Sequence, residues 1–413
     1  MLLYNLIVLG YGLVIRIASL RNPKAKQWIS GRRQWRHQLG LRLGSLGNGP
    51  RIWVHCASYG EFEQGRPLME EIRKRHPQYK IILSFFSPSG YEAFKNWQGA
   101  DLVCYLPLDT PKNARDFLSL VKPHTAVFIK YEFWVNFLFR LKALAIPTFL
   151  VSAVFKPHHP FFKWYGSFFR RSLLTFHKLF VQDESSAGLL KSIGIEQCEV
   201  CGDTRFDRVL EIRRNFSALP FFESFCRGHH VWVAGSTWPG DEELLIAAYK
   251  KINDPNLKLI MAPHNVDEKH ISGLEQQLQK NGLPYLLYSS QQSDPAAQVL
   301  VVDSIGLLSR LYHYAHITYV GGGFDSGIHN CLEPAVYLKP VLFYDHDYRK
   351  YNEVIDLVHM NAARPVKDAA ELSGAFTRFL NNGEEKTARE AALQAYFEKN
   401  SGVTDKVLRS IRL

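Results

Sequence analysis

The chain has 413 residues, with 50 Lys and Arg against 39 Asp and Glu, and six cysteines. Apolar residues at 46% and charged residues at 22% exclude a disordered or fibrous chain. So few cysteines exclude a disulfide scaffold and fit a reducing compartment, and the length suits two domains of roughly 150–200 residues each. The net charge of +11 is concentrated at one end. Residues 1–60 carry nine bases and no acid, Glu61 being the first, and the remainder is close to neutral. A nucleic-acid-binding protein spreads its bases over a folded face, so no nucleic-acid partner is expected.

Residues 2–15, LLYNLIVLGYGLVI, hold one strongly polar side chain, Asn5, and Arg16 then interrupts the run. A clean span needs about 20 apolar residues. A cleaved signal peptide would carry its positive charge ahead of the apolar core and a small-residue cleavage site, and neither is present. An ordinary buried helix is one reading. The preferred one is a membrane anchor or monotopic helix over 1–25, with the bases that follow on the cytoplasmic side, attracting anionic lipid headgroups. Trp28 and Trp35 beside those bases suit an interface.

From residue 50 onward short apolar runs alternate with amphipathic stretches. Strands are predicted at Ile52–Cys56, Ile81–Phe86, Thr125–Ile129, Thr148–Ser152 and Leu179–Gln182, with helices near 62–76, 111–121, 132–144 and 185–193. A second series has strands at Val231–Ala234, Leu257–Ala262, Val299–Val302, His316–Val320 and Val341–Tyr344. Its helices lie near 241–252, 266–280, 304–313 and 331–338. Such alternation means parallel sheets with helical crossovers. The expected fold class is therefore α/β: two Rossmann-like, doubly wound domains facing each other across a cleft, over 26–215 and 216–385, linked near Arg213–His230. The stretch 386–413 reads as a C-terminal amphipathic helix with a Ser401-Gly402 break, able to pack back on the first domain.

Several constellations sit at predicted strand ends, where doubly wound domains bind ligands. In His55-Cys-Ala-Ser-Tyr-Gly-Glu61 a carboxylate opens a helix, where the dipole keeps it ionised. It could be a general base for a sugar hydroxyl or a plain helix stabiliser. Glu132 likewise follows a buried strand and is expected to open a helix. Ser236 and Thr237, after a strand ending at Gly235, could bind phosphate through hydroxyls and backbone, and His264 ends another strand. In Val320-Gly-Gly-Gly-Phe-Asp-Ser-Gly-Ile-His-Asn-Cys-Leu-Glu-Pro334, Gly321, Gly322 and Gly323 permit close backbone approach. Asn330 is a good N-cap for a helix whose free N–H groups would favour an anion, and Glu333 in its first turn could accept ribose hydroxyls. Capped glycine turns also occur without ligands. The stretch fails as a dinucleotide fingerprint because Ser326 stands at the third glycine. Cys198 and Cys201 have no second pair, and His158-His159 has no ligand partner at the right spacing, so no metal site is expected.

The phrases ASYGE, PLD, KPHTAVFIKYEFW, GDTRFD, AGSTWPGDEE and GGGF…GIHNCLEPAVYLKPV, in this order, resemble the 3-deoxy-D-manno-octulosonic acid (Kdo) transferases of lipopolysaccharide biosynthesis, over residues 30–360. The resemblance implies a GT-B glycosyltransferase fold, CMP-Kdo as donor and a lipid A precursor, lipid IVA, as acceptor. It also implies inversion at the anomeric carbon, no metal, no cofactor, and the cytoplasmic face of the inner membrane. It makes Glu61 the general base, Glu132 a second active-site acid, and Asn330, Glu333 and the glycines, with Ser236 and Thr237, the donor side. Charge on the leaving CMP would then fall to the Asn330 helix start, Arg205 and Lys156, and the basic flank over 16–51 would hold the acceptor. The chain departs from the family pattern where Lys130 replaces a glutamate, where Val135 replaces a proline, and where Ser152-Ala-Val-Phe-Lys156 lacks an arginine. A UDP-sugar transferase or epimerase of the same fold is the runner-up, and a non-catalytic membrane lipid-binding protein is the alternative of another class.

Overall fold

The computed structural model describes residues 1–324 and 327–411, so Ser326 lies outside the described residues. These residues divide into two units, Met1–Arg208 with the C-terminal stretch from Gly402, and Val209–Ser401.

The first unit opens with α1 (Leu2–Ala18), α2 (Pro23–Ser30) and α3 (Trp35–Gly44). The alternation then runs β1 (Arg51–Cys56), α4 (Tyr59–Arg75), β2 (Lys80–Phe85), α5 (Pro88–Phe94), β3 (Leu102–Tyr105), α6 (Pro111–Val121), β4 (Thr125–Ile129) and α7 (Val135–Ala143). It continues with β5 (Thr148–Ala153), α8 (Ser167–Leu173), β6 (Lys178–Val181), α9 (Glu184–Lys191), β7 (Cys198–Val200) and the start of α10 (Arg205–Arg214), whose residues from Val209 belong to the second unit. Asn22, Ser87 and Thr110 cap α2, α5 and α6 through their side chains, each followed by proline at the first helical position, where its missing N–H costs nothing. Among the described residues the strands form one parallel sheet in the order β3-β2-β1-β4-β5-β6-β7.

Side chains alternate across this sheet. Trp53, Ala126, Phe128 and Leu150 pack on one face with Phe117 of α6 and Phe137 of α7. Ile52, Val54, Val127, Ile129 and Val151 pack on the other with Phe62, Leu68 and Ile72 of α4.

The second unit holds α11 (Pro220–Cys226), β8 (His230–Thr237), α12 (Pro239–Ile252), β9 (Leu257–Pro263), α13 (Glu268–Lys280), β10 (Tyr285–Leu287), β11 (Val299–Val301) and α14 (Leu308–Leu311). After these come β12 (Ile317–Val320), α15 (Leu332–Ala335), β13 (Val341–Tyr344), α16 (Asn352–His359), β14 (Ala363–Val366), α17 (Ala369–Asn381) and α18 (Gly383–Lys399). Its sheet is parallel too, in the order β10-β11-β9-β8-β12-β13-β14. Trp232, Leu259, Tyr319 and Leu342 pack there with Leu245 of α12 and Phe376 of α17. The C-terminal stretch is two helices. α18 belongs to the second unit, whereas α19 (Val403–Ser410) belongs to the first, where Val403, Val407, Leu408 and Ile411 join the α4 face. Asp207 fixes that return by accepting the N–H groups of Gly402 and Thr404 at 2.7 and 2.6 Å.

The N-terminal region needs three corrections. No helix of the described residues is long and apolar enough to cross a membrane; α1 has 17 residues, about 25 Å. It leaves much of its apolar surface exposed: Leu2 at 78%, Ile7 at 62% and Val14 at 63%. Trp28 is not at the surface but buried, with the Arg32 guanidinium 3.8 Å from its ring centre, and Trp35 packs on Phe117. The basic flank is partly spent inside the fold. Arg32, Arg42 and Arg51 donate to backbone carbonyls and Arg36 pairs with Asp116. Burial lowers the Arg32 guanidinium to about 9. Arg16, Arg21, Lys24, Lys26 and Arg33 stay exposed.

Candidate functional site

In the first sheet β1 and β4 are neighbours, and the chain winds outward from them in opposite directions. In the second sheet β8 and β12 stand in that relation. Ligands of doubly wound sheets bind beyond the carboxyl ends of strands at such a switch point. Glu61 follows β1, Glu132 follows β4, Ser236 and Thr237 end β8, and Gly321–Gly323 follow β12, so each unit carries one cluster at its switch point.

In the first unit Glu61 occupies the third position of α4 and closes a capping box with Ser58. Its Oε2 accepts the Ser58 N–H at 3.0 Å and the Ser58 hydroxyl as well. Oε1 has no hydrogen bond among the described residues. The two readings of Glu61 are therefore compatible: one oxygen stabilises the helix and fixes the rotamer, while the other is left to face a ligand.

Glu132 does not open a helix. It lies in the link between β4 and α7, whose N-cap is Trp134, and is 8% exposed. Its carboxylate lies 3.0 Å from His55 Nε2 and accepts the Trp134 indole N–H. His55 is fully buried in β1 and on its other side meets the Ser84 hydroxyl at 2.8 Å, which also takes the Trp53 indole N–H at 2.7 Å. Sequence reasoning missed His55, Ser84 and Trp134 as parts of the site. The available signal was a histidine inside an otherwise apolar strand, since a buried imidazole needs partners for both nitrogens.

Arg205 is not a free cation. It donates from Nε to Asp203 Oδ2 at 2.8 Å, and Gln64 holds the same carboxylate at 3.1 Å. Burial works against the Asp203 charge, but Arg205 outweighs it and keeps the carboxyl below its ordinary value. Lys156 lies in the segment after β5 with its N–H 3.3 Å from His159 Nδ1.

In the second unit the glycines are required by the protein itself. A Cβ on Gly321 would stand 2.4 Å from the Ser236 carbonyl oxygen, and one on Gly322 would stand 2.4 Å from that of Gly327. Gly322 has φ +99°, a conformation glycine adopts at little cost. Its N–H donates to Asp241 Oδ2 at 2.9 Å, while Asp241 also takes the Trp238 N–H and the Tyr319 hydroxyl. Thr237 corrects the phosphate-hydroxyl expectation. It is fully buried and donates inward to Glu242 Oε1 at 3.0 Å, which His270 Nε2 meets at 2.9 Å. Burial raises the Glu242 carboxyl against the pull of His270 and Thr237. Ser236, at φ +54°, is half-buried.

His264 is exposed and packs against both Trp238 and His329, with ring centres 4.8 and 4.6 Å away. Burial, reinforced by His264, lowers His329 to about 4, so it is neutral near pH 7. Asn330 Oδ1 accepts the Leu332 N–H at 3.1 Å and its amide donates to Glu333 Oε1 at 3.1 Å. The helix that follows is a single turn, α15, with Cys331 as its N-cap. The expected Asn330 N-cap is thus displaced by one position.

Comparison with known proteins bears on the family and the fold. Residues 33–208 match the family model described as 3-deoxy-D-manno-octulosonic-acid transferase (kdotransferase). The chain is 28% identical to 3-deoxy-D-manno-octulosonic acid transferase of Aquifex aeolicus over 84% of this chain and 92% of that one. It is 25% identical to the protein of the same name from Haemophilus influenzae over 95% and 93%. The crystal structure of UDP-GlcNAc 2-epimerase from Neisseria meningitidis bound to UDP-GlcNAc matches with a TM-score of 0.61 at 14% identity, over 87% of this chain and 99% of that one, which is a likeness of fold. In motif order, domain match and near-full-length similarity the chain resembles the Kdo transferases, and its two parallel-sheet units resemble in fold those of GT-B glycosyltransferases.

Proposed function

We propose that this protein is a glycosyltransferase that moves Kdo from CMP-Kdo to the lipid A precursor lipid IVA, with inversion and without a metal ion. The observation that carries this reading is the Glu61 carboxylate, held by Ser58 through one oxygen at the first unit's switch point, with the other oxygen uncommitted. In the reaction an acceptor hydroxyl attacks the anomeric carbon of Kdo while its bond to the CMP phosphate oxygen breaks. Glu61 takes the hydroxyl proton, and the electron pair leaves with CMP. Glu132, oriented by His55 and Trp134, sits beside that path as the second carboxylate. On the donor side the glycine turn braced by Asp241 offers backbone, and His264 offers an exposed ring against which a base can stack. These assignments rest on position and on the family resemblance.

The reading places the protein on the cytoplasmic face of the inner membrane. α1 would lie in the interface, its exposed leucines and isoleucines in the acyl region and Arg16, Arg21, Lys24, Lys26 and Arg33 toward anionic headgroups. Flotation with vesicles containing anionic lipid, weakened by salt, tests this part.

The reaction is tested with purified protein, CMP-Kdo generated in situ, dispersed lipid IVA and EDTA, the products being read by mass spectrometry. A mass gain of one or more Kdo units supports donor, acceptor and metal independence together. Loss of product in EDTA, restored by a divalent cation, overturns the metal claim. No product with active donor sinks the reaction and makes UDP-sugars the next donors to try.

A further inference from the structure

α1 carries an exposed apolar surface, yet its inward side is polar at two points. The Tyr4 hydroxyl donates to Asp109 Oδ2 at 2.6 Å, and Asn5 Oδ1 accepts the Asn136 side-chain amide at 2.9 Å. Asp109 is fully buried and also accepts the backbone N–H groups of Asn136 and Phe137, at 3.1 and 3.2 Å. Those groups belong to the first turn of α7, where no intrahelical acceptor exists. Asp109 is thus the acceptor that finishes α7, and Tyr4 completes the hydrogen bonding of Asp109.

The start of α7 matters because of what precedes it. Residues 130–134 run from the end of β4 to Val135 and contain Glu132 and Trp134, which hydrogen-bond to each other. The sheet fixes one end of this five-residue link and Asp109 fixes the other. A second path reaches the same link. The Tyr11 ring of α1 stacks on Phe86 at 6.2 Å, and Phe86 packs on Trp134 at 4.4 Å. Gly12 of α1 sits so near Leu108 that a Cβ would stand 2.8 Å from its side chain.

We propose that α1 is a positioning element of the Glu132 site and not only a surface helix. Tyr4 and Asn5 hold the first turn of α7, Tyr11 holds Trp134 through Phe86, and the arrangement of Glu132 depends on α1 being docked. Tyr4 and Tyr11 are positioning residues, since neither touches substrate in this scheme. The catalytic part rests on the transfer reaction proposed above; the mechanical part does not.

The test uses full-length Tyr4→Phe, which removes one hydroxyl and keeps the ring, with two readouts. Hydrogen exchange at the Asn136 and Phe137 amides should accelerate about tenfold, because their acceptor loses its partner, while amides of β8 and β9 stay as in wild type. The kcat for Kdo transfer should fall about tenfold with the KM for CMP-Kdo unchanged. Exchange within twofold of wild type overturns the coupling. Faster exchange with unchanged kcat overturns the link to Glu132. If Tyr4→Phe does not fold, Asn5→Ala, which leaves Asp109 satisfied, should give the same two changes in smaller measure, and no change in either again overturns the proposal. A wild type that transfers no Kdo removes the reaction, and the exchange measurement then decides alone whether α1 holds α7.

Discussion

The two switch-point clusters use carboxylates in opposite ways. In the first unit the acids lie beyond the carboxyl ends of β1 and β4. Glu61 keeps an oxygen unbonded, and Glu132 is held from behind by a histidine and an indole. In the second unit Asp241 and Glu242 are buried and turned inward, gripping Gly322, Trp238, Tyr319 and Thr237. What they leave outward is backbone and an aromatic stack. A carboxylate facing a ligand can move a proton, whereas one facing inward fixes the shape of a loop. On the proposed reading the first cluster would serve chemistry and the second holding.

Substitutions at the acids break or sharpen that contrast. Glu61→Gln keeps an amide oxygen for the Ser58 cap and removes the base. Transfer should fall roughly 10²–10⁴-fold while the melting temperature and donor binding hold. Near wild-type turnover would place the base elsewhere. Asp241→Ala should act on stability first. It strands two backbone N–H groups and a tyrosine hydroxyl in the interior, at a cost of roughly 3–5 kcal/mol, read by urea denaturation. A well-folded variant that loses transfer at unchanged stability would make Asp241 a ligand contact and erase the distinction between the clusters.

The first unit also has an inward-facing acid, Asp109, and it tests the rule within one domain. Burial raises its carboxyl to about 6, against the pull of Tyr4 and the α7 amides. A carboxyl whose folded value lies above its unfolded value binds more protons when folded. Its contribution to stability is therefore largest below about pH 4 and is lost as pH rises through about 6. The shift corresponds to about 3 kcal/mol. The stability difference between wild type and Asp109→Asn should fall by up to that amount between pH 4 and 7, and a flat difference would deny the raised value. At Gly322→Ala the left-handed backbone alone costs about 1–2 kcal/mol, and a Cβ 2.4 Å from the Gly327 carbonyl oxygen adds to it. Full stability in that variant would mean the turn can relax.

The sequence alone exposes the inner strands and hides the outer ones. The five strands read in each half are the interior of each sheet. The four that escaped, β3, β7, β10 and β14, are the four edges. Interior parallel strands are covered on both faces and read as unbroken apolar runs. The edges are three or four residues long and carry exposed or half-buried positions, so their pattern resembles loop. The site divides similarly. The placement of Glu61 and Glu132 was legible because each follows a buried apolar run within five residues, at the carboxyl end of a strand. The inward turn of Thr237 depends on Glu242 and His270, five and 33 positions away. Nor does local sequence distinguish a tryptophan stacked on a buried arginine, as Trp28 is, from one at a membrane surface.

The return of α19 to the first unit bears on how the chain matures. The second unit, Val209–Ser401, is inserted between the segments that complete the first. At roughly 5–20 residues per second, about 10–40 s of synthesis separate Arg208, where the leading segment of the first unit ends, from the Val403, Val407, Leu408 and Ile411 side chains that cover the α4 face. During that interval the nascent first unit presents an unpaired apolar strip while its neighbour folds. A chain stopped before Gly402 would keep the strip exposed, so the apolar face of α4 waits on residues that follow the whole second unit.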